Sequence, residues 1–388
     1  MTRKERMPRK MPRPKSKFTR NHAIAGAIIL ALAFALGVGI FFQRGSKGTS
    51  ASTDDANGSD PTPAADVPSE PAFRDVLSGA AIPEAAAALP RVYAVMIDNS
   101  VDAWPQSGID KAFLVIEAPV EAAIPRFEAF FSADAKVDKI GPVRSARPYF
   151  VDWASEFDAL YAHVGGSNDA LALIGSTGTF DLNEFSHGNS FWRSTDRSAP
   201  HNAYTSTDLL AAAVAKAEEK GTASDVLYGV WKFKDGAKAF VMPGSSDAAP
   251  DAVWQNSISV RFNSDLYVAT WTYDPATNTY LRSQGGRKTV TQDGTRVSAN
   301  NVAVIVTDVS VLDAVGRRKI RTTGEGNAWV LQDGATIDAT WKKSSASERL
   351  AFYDKDGNEI AMNAGNTWIE VAEDEGSVTV VDSNATTR

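Results

Sequence analysis

The sequence predicts an α+β protein carried on a membrane: one transmembrane helix, then a mixed α/β domain, then a smaller β-rich domain. Three observations lead there. An uncharged apolar run of 20 residues stands at Ala23–Phe42. Between about residues 75 and 245, short apolar runs typical of strands alternate with helical segments. From Val253 onward, alternating stretches recur between Asp-Pro, Gly-Gly and Asp-Gly turns, the texture of largely antiparallel β-structure.

The composition supports a real core. Of 388 residues, 43% are hydrophobic and 22% charged, which is ordinary for a globular chain. There is no cysteine, so disulfides, thiolate metal sites, a cysteine nucleophile and a lipid-modified cysteine are all excluded. The formal net charge is −7, but it is unevenly spread. Met1–Arg20 holds nine Lys/Arg and one Glu, about +8, which leaves about −15 for the remainder. An acidic body of this kind excludes nucleic acid as the expected partner.

The elements follow in order. Residues 1–22 are a basic cytoplasmic tail and 23–42 the membrane helix. At ~1.5 Å per residue, such a helix matches the ~30 Å hydrocarbon core, and lipid requires its backbone groups to pair internally. The excess of Lys/Arg before it places the N-terminus inside and the rest outside. A cleaved signal peptide is the alternative, but the run exceeds the usual ~7–15 residues and no A-x-A site closes it. Residues 43–72, rich in Gly, Ser, Thr, Asp, Pro and Ala, are expected to be a disordered linker.

An N-terminal α/β domain is expected over residues 73–248. Its strands are Arg91–Asp98, Ala112–Ala118, Arg126–Ser132 and Asp158–His163. Its helices are Pro148–Phe157, Ser167–Ile174 and Ser206–Lys220. Pro148 suits a first helical turn, and Ser206 can cap a helix closed by Lys220-Gly221. A β-rich domain is expected over 249–388, with strands at Ser257–Phe262, Leu266–Tyr273, Val302–Thr307, Ala335–Trp341, Leu350–Tyr353, Thr367–Val371 and Val378–Val380. Trp254, Trp271, Trp329, Trp341 and Trp368 fall here. Core packing is preferred for them over stacking on sugar rings.

Several motifs are distinctive: Val95-Met-Ile-Asp-Asn99, Trp104-Pro-Gln-Ser-Gly108, Glu117-Ala-Pro-Val-Glu121 and Lys139-Ile-Gly-Pro-Val-Arg-Ser-Ala-Arg-Pro-Tyr-Phe150. Phe191-Trp-Arg193, Arg197 and Ala199-Pro-His-Asn-Ala-Tyr204 follow. Gly324–Trp329, Ala339–Lys342, Asp356–Ile360 and Gly365–Ile369 complete the set. Over roughly residues 73 to 372 the chain resembles the YerB-like family, bacterial envelope lipoproteins built on a domain of unknown function. The resemblance implies an N-terminal α/β domain with layered sheets and a smaller β-rich domain, and carries no established activity. Family members are often attached through a cysteine. This chain has none, so the helix at Ala23–Phe42 takes the lipid's place as anchor.

The candidate chemistry is modest. Arg144, Ser145 and Arg147 precede a helix start and suit a phosphate or carboxylate; Arg193, Arg197, His201 and Asn202 join them as expected ligand-binding residues. The competing reading pairs the arginines internally with Glu117, Glu121 or Asp152. Asp98, Glu117 and Glu121 are candidate catalytic carboxylates at or near strand ends. His163, His187 and His201 lack zinc-site spacing, so no metal is expected, and no cofactor. Asp354–Glu359 has its glycine at the fourth position and reads as a hairpin turn, not a calcium loop. The leading expectation is a non-enzymatic envelope protein that meets the bilayer through Ala23–Phe42 and binds a cell-wall polymer or envelope protein. The alternative is an envelope hydrolase using these carboxylates on an arginine-held anionic substrate.

Overall fold

The structure, a computed structural model, describes residues 73–218, 226–236 and 256–381. The expected tail, membrane helix and linker, together with Trp254 and the Lys220-Gly221 close of the third expected helix, lie outside the described residues. Among the described residues no helix is long and apolar enough to cross a membrane.

Among the described residues, the main strands of the two large sheets in chain order are β1 (Val92–Asp98), β2 (Leu114–Pro119), β3 (Pro125–Ser132), β4 (Leu160–His163), β5 (Asp181–Asn183), β6 (Ser257–Arg261), β7 (Val268–Asp274), β8 (Thr279–Gln284), β9 (Asn301–Val306), β10 (Gly324–Gln332), β11 (Ala335–Lys343), β12 (Ala351–Tyr353), β13 (Thr367–Ala372) and β14 (Val378–Val381). Among the described residues the α-helices are α1 (Pro148–Ala154), α2 (Asn168–Thr177) and α3 (Thr207–Glu218).

Ten strands form one mixed sheet in the order β12-β11-β10-β9-β13-β2-β3-β1-β4-β5. A second sheet runs β8-β7-β6-β14, extended beyond β8 by Arg287–Lys288 and flanked there by Ser298–Ala299. Through its central strands β1, β2 and β13 the large sheet is buried on both faces. Val92, Ala94 and Met96 pack with α1 and α2, while Tyr93, Val95 and Ile97 pack with α3 and with Ile258, Val260 and Trp271 of the second sheet. This is why β1 reads as an unbroken apolar run and is buried at every position. The second sheet has one inner face, and β7 alternates buried and partly buried along its length. The architecture is therefore mixed α/β with few helices and layered sheets.

Local chemistry accounts for the helices. Arg147 is extended, as a residue before proline must be, and Pro148 opens α1. Tyr149, Phe150 and Trp153 then bury their rings, each contributing about 1.5–3 kcal/mol of apolar burial. The Ser167 hydroxyl accepts from Ala170 N and caps α2, and Gly178 ends it in the left-handed conformation.

Three features differ from the sequence reading. The C-terminal strands pair mostly antiparallel, but β13 lies parallel to both β9 and β2. Through β13 the ten-stranded sheet runs across residue 248, joining strands from both sides of it. Glu117, expected at a strand end, lies inside β2. Strand β10, paired with β11 from Gly324 opposite Lys343 to Gln332 opposite Ala335, escapes sequence patterning because Gly324 and Gly326 interrupt its apolar alternation. Gly326 is needed: a Cβ there would fall 2.6 Å from Trp341 Nε1 and 2.7 Å from Val306 O.

Trp271, Trp341 and Trp368 are buried core residues, and Trp329 packs partly buried against the same core. Asp354 Oδ1 accepts from Asp356 N and Asn358 N, closing the Asp354–Glu359 hairpin turn.

Candidate functional site

Strands β1, β2, β4, β5, β9 and β13 run in one direction, so their carboxyl ends share one edge of the sheet. In α/β sheets that edge is where ligands bind, at crevices where neighbouring strands part. Here β1 and β4 pair only from Tyr93 to Val95. Beyond that point the Gly141–Arg147 segment enters between them. Arg144 N donates to Met96 O, Val164 N donates to Arg144 O, and Ala146 N donates to Gly165 O. Gly141 lets this happen: its φ is 141°, and a Cβ would press on Ala203 O and Val143 N, each at 2.9 Å.

The segment delivers Arg144, Ser145 and Arg147 to the edge, where they meet Asp98, Glu121 and His201. Asp98 Oδ2 lies 3.1 Å from Arg144 Nε, an ion pair without hydrogen-bond alignment. The same oxygen takes His201 Nδ1 at 2.6 Å, and Asp98 Oδ1 accepts from Ser100 N. Burial alone would raise the Asp98 carboxyl. Arg144, the Ser100 amide, Arg126 and His201 outweigh it and hold the group below the usual range. An ionised carboxylate only accepts, so the His201 ring donates Nδ1–H to Asp98, while Nε2 stands 3.9 Å from Asp102 Oδ2. The Ser100 hydroxyl reaches the same Nδ1 at 3.1 Å.

Arg147 donates Nε to Glu121 Oε1 at 2.7 Å, and its Nη2 stands 2.6 Å from the same oxygen. Burial would raise Glu121, but Arg147 pulls it below its ordinary value. Glu121 sits in a turn where Ala122 and Ala123 adopt φ of 56° and 54°, unfavourable for residues with a Cβ.

One arginine of this cluster escaped the sequence reading. Arg126, the second residue of β3, is 5% exposed. Its Nη1 donates to Ser145 O at 2.8 Å; among the described residues its Nε has no partner and no carboxylate forms an ion pair with it. Burial and neighbouring Arg147 lower it to about 10. Three guanidinium groups thus share this edge with two carboxylates.

The other expected residues divide. Arg193 bonds Glu184 and Asn202 Oδ1 beside His201. Arg197 instead donates to the carbonyls of Ala103 and Pro105, tying down the loop after β1. Of the internal partners foreseen for the arginines, Glu121 takes Arg147, while Asp152 accepts from the Thr322 hydroxyl. Glu117 points to the opposite face, toward the second sheet. Arg282 Nη2 and Asn99 Nδ2 bond its two oxygens at 2.6 and 2.7 Å. Glu370, opposite it on β13, is pushed well above its ordinary value by burial and by Glu117. Glu117 and Arg282 are fully buried and cannot meet a substrate without rearrangement. Arg282, Glu370 and Arg126 share one signal in sequence: a charge at an inward position of a strand. His163 bonds Asp181 and Gly165 O, and His187 bonds Ser186, so these two imidazoles have separate partners from His201. Among the described residues no group of His, Asp and Glu is arranged to hold a metal.

Comparison with known proteins agrees with this architecture. The family described as "Protein of unknown function (DUF3048) N-terminal domain" matches residues 77–222, and its C-terminal domain matches 258–369. A protein of Bacillus subtilis (strain 168), "Putative lipoprotein YerB", is 32% identical over 287 residues, covering 73% of this chain and 82% of that protein. The crystal structure of the Bacillus subtilis YerB protein is similar with a TM-score of 0.67 at 28% identity, covering 80% of this chain and 99% of that one. With both domains matched in order and a relative similar over most of its length, the chain belongs to the YerB-like, DUF3048 family.

Proposed function

We propose that this chain is an extracytoplasmic envelope protein, anchored by Ala23–Phe42, whose Arg126–Arg144–Arg147 edge binds an anionic group of a cell-wall polymer. The observation that carries the reading is Arg126, a buried cation with no carboxylate ion-pair partner among the described residues, set beside two further arginines. A phosphate or carboxylate docked against Arg144 and Ser145 would balance that surplus by charge-assisted hydrogen bonds. The relative described as a lipoprotein, the basic tail ahead of the apolar run and the lack of any cysteine support the location and the substitution of a helix for a lipid.

A second reading rests on the Asp98–His201 pair. A buried carboxylate orients Nδ1, and Nε2, 3.9 Å from the exposed Asp102 carboxylate and beyond hydrogen-bond reach of it, is placed as a general base requires; Arg144 beside the pair suits an anionic substrate. One experiment separates the two. The full chain in detergent is incubated with purified wall sacculi, and both sedimentation with the sacculi and soluble cleavage products are scored. Co-sedimentation lost in Arg144→Ala, with no products, supports binding. Products that vanish in His201→Ala support hydrolysis. Neither outcome in the wild-type chain overturns both.

A further inference from the structure

On the far side of the loop after β1 lies a cavity of about 340 Å³, lined by residues of that loop and of the β8 hairpin. It is within the ~300–1,000 Å³ range of small-ligand sites. Its lining is apolar at Val101, Trp104, Pro105 and Val290, cationic at Arg287 and Lys288, and polar at Gln106, Gln284 and Thr289.

A chain of hydrogen bonds fixes what Gln284 offers. Glu117 Oε1 accepts from Asn99 Nδ2, and Trp104 Nε1, which can only donate, bonds Asn99 Oδ1. The Asn99 amide therefore has one possible orientation, and its Nδ2 faces Gln284 Oε1 at 3.1 Å. Gln284 must then turn Nε2 away. That nitrogen is buried and has no partner among the described residues, in a residue only 5% exposed. A buried amide donor left unpaired costs about 1–3 kcal/mol unless something accepts from it. Arg287 and Lys288 are exposed, and neither forms an ion pair among the described residues. The cavity thus combines one unmet donor, two uncompensated cations and an aromatic-aliphatic wall.

We propose that this cavity is a binding site for a small carboxylate bearing an acyl amide, of the size of a single N-acylated sugar acid. On binding, a shift of the Gln284 side chain uncovers Nε2 so that the amide carbonyl accepts from it, the carboxylate meets Arg287 and Lys288, and the apolar face of the ring lies on Trp104. The site shares no side chain with the arginine edge, so it stands or falls separately from the proposed function.

The test is a titration of the full chain in detergent with N-acetylmuramic acid. N-acetylglucosamine, which lacks the carboxylate, and glucuronic acid, which lacks the acyl amide, serve as comparisons. The expected result is saturable binding of N-acetylmuramic acid, about tenfold or more tighter than either comparison. Gln284→Glu keeps the acceptor for Asn99 but sets a carboxylate against the ligand, and should weaken binding by about tenfold or more. The Arg287→Ala/Lys288→Ala double variant alters only exposed side chains, so it keeps the test valid if Gln284→Glu fails to fold. Arg144→Ala should leave this binding in place. No saturable binding of N-acetylmuramic acid, equal binding of all three compounds, or affinity unchanged in the double variant would overturn the proposal.

Discussion

Glu117 and Glu370 stand opposite each other on the neighbouring parallel strands β2 and β13, both fully buried, with Arg282 bonded to Glu117. Glu370 accepts from Trp271 Nε1 at 2.8 Å, and burial together with Glu117 favours its neutral form. The guanidinium of Arg282 also lies among the rings of Phe127, Trp271 and Trp368, at 5.2, 6.0 and 5.4 Å from their centres. The group joins strands from the two matched domains, which explains why charges occupy the centre of an otherwise apolar layer.

The two glutamates should therefore respond differently to the same substitution. Glu117→Gln strips the partner from a buried guanidinium and should cost about 3–5 kcal/mol. Glu370→Gln replaces a neutral acid by a neutral amide that can still bond Trp271 and Glu117, and should cost about 1 kcal/mol or less. Urea unfolding of the two variants checks this, and equal losses would contradict the assignment.

Glu370 also predicts a pH dependence. Its folded value lies above the ordinary 4.5, so the native state keeps a proton that the unfolded chain gives up. Its contribution is full below about 4.5 and is lost as pH rises toward the folded value. Glu128, raised first by burial and then by Glu156 and Asp152, acts in the same sense. Stability measured across that interval should decline with rising pH, and Glu370→Gln should decline less steeply than the wild type.

Asp98 acts in the opposite sense. Its folded value lies below the ordinary 3.8, so its contribution is present above that value and disappears as pH falls through the lower one. Asp98→Asn removes the carboxylate partner of Arg144 and His201 and should cost about 2 kcal/mol at neutral pH. Acid unfolding followed by circular dichroism should show the difference between variant and wild type shrinking below pH 3.8.

The turn at Ala122–Ala123 carries backbone strain. Glycine accepts positive φ without a Cβ penalty but loses more entropy on folding. Ala122→Gly and Ala123→Gly should each stabilise the chain by about 1 kcal/mol or less. Thermal unfolding would show the gain, and destabilisation by either would contradict the argument.

Much of the scaffold was legible in sequence because its signals are local. Apolar runs such as Val92–Asp98, the Arg147-Pro148 junction and the Ser167 cap each depend on a few neighbouring residues. The arginines of the Gly-Pro-Val-Arg-Ser-Ala-Arg segment were legible as candidates for the same reason. What remained hidden depends on pairing across the chain. No local pattern shows that β13 inserts between β9 and β2, and so Glu117 read as a strand-end acid instead of a sealed partner of Arg282. Arg126 was passed over because its strand is otherwise apolar, and only the sheet register places it beside Asp98.

The most direct measurement is equilibrium binding of the full chain to a solubilised anionic wall polymer, by calorimetry at low and high salt. Wild type would be compared with Arg144→Ala/Arg147→Ala. Affinity should fall with salt and drop by about tenfold or more in the double variant, with the thermal transition still cooperative. Affinity unchanged by removing both guanidinium groups would contradict it.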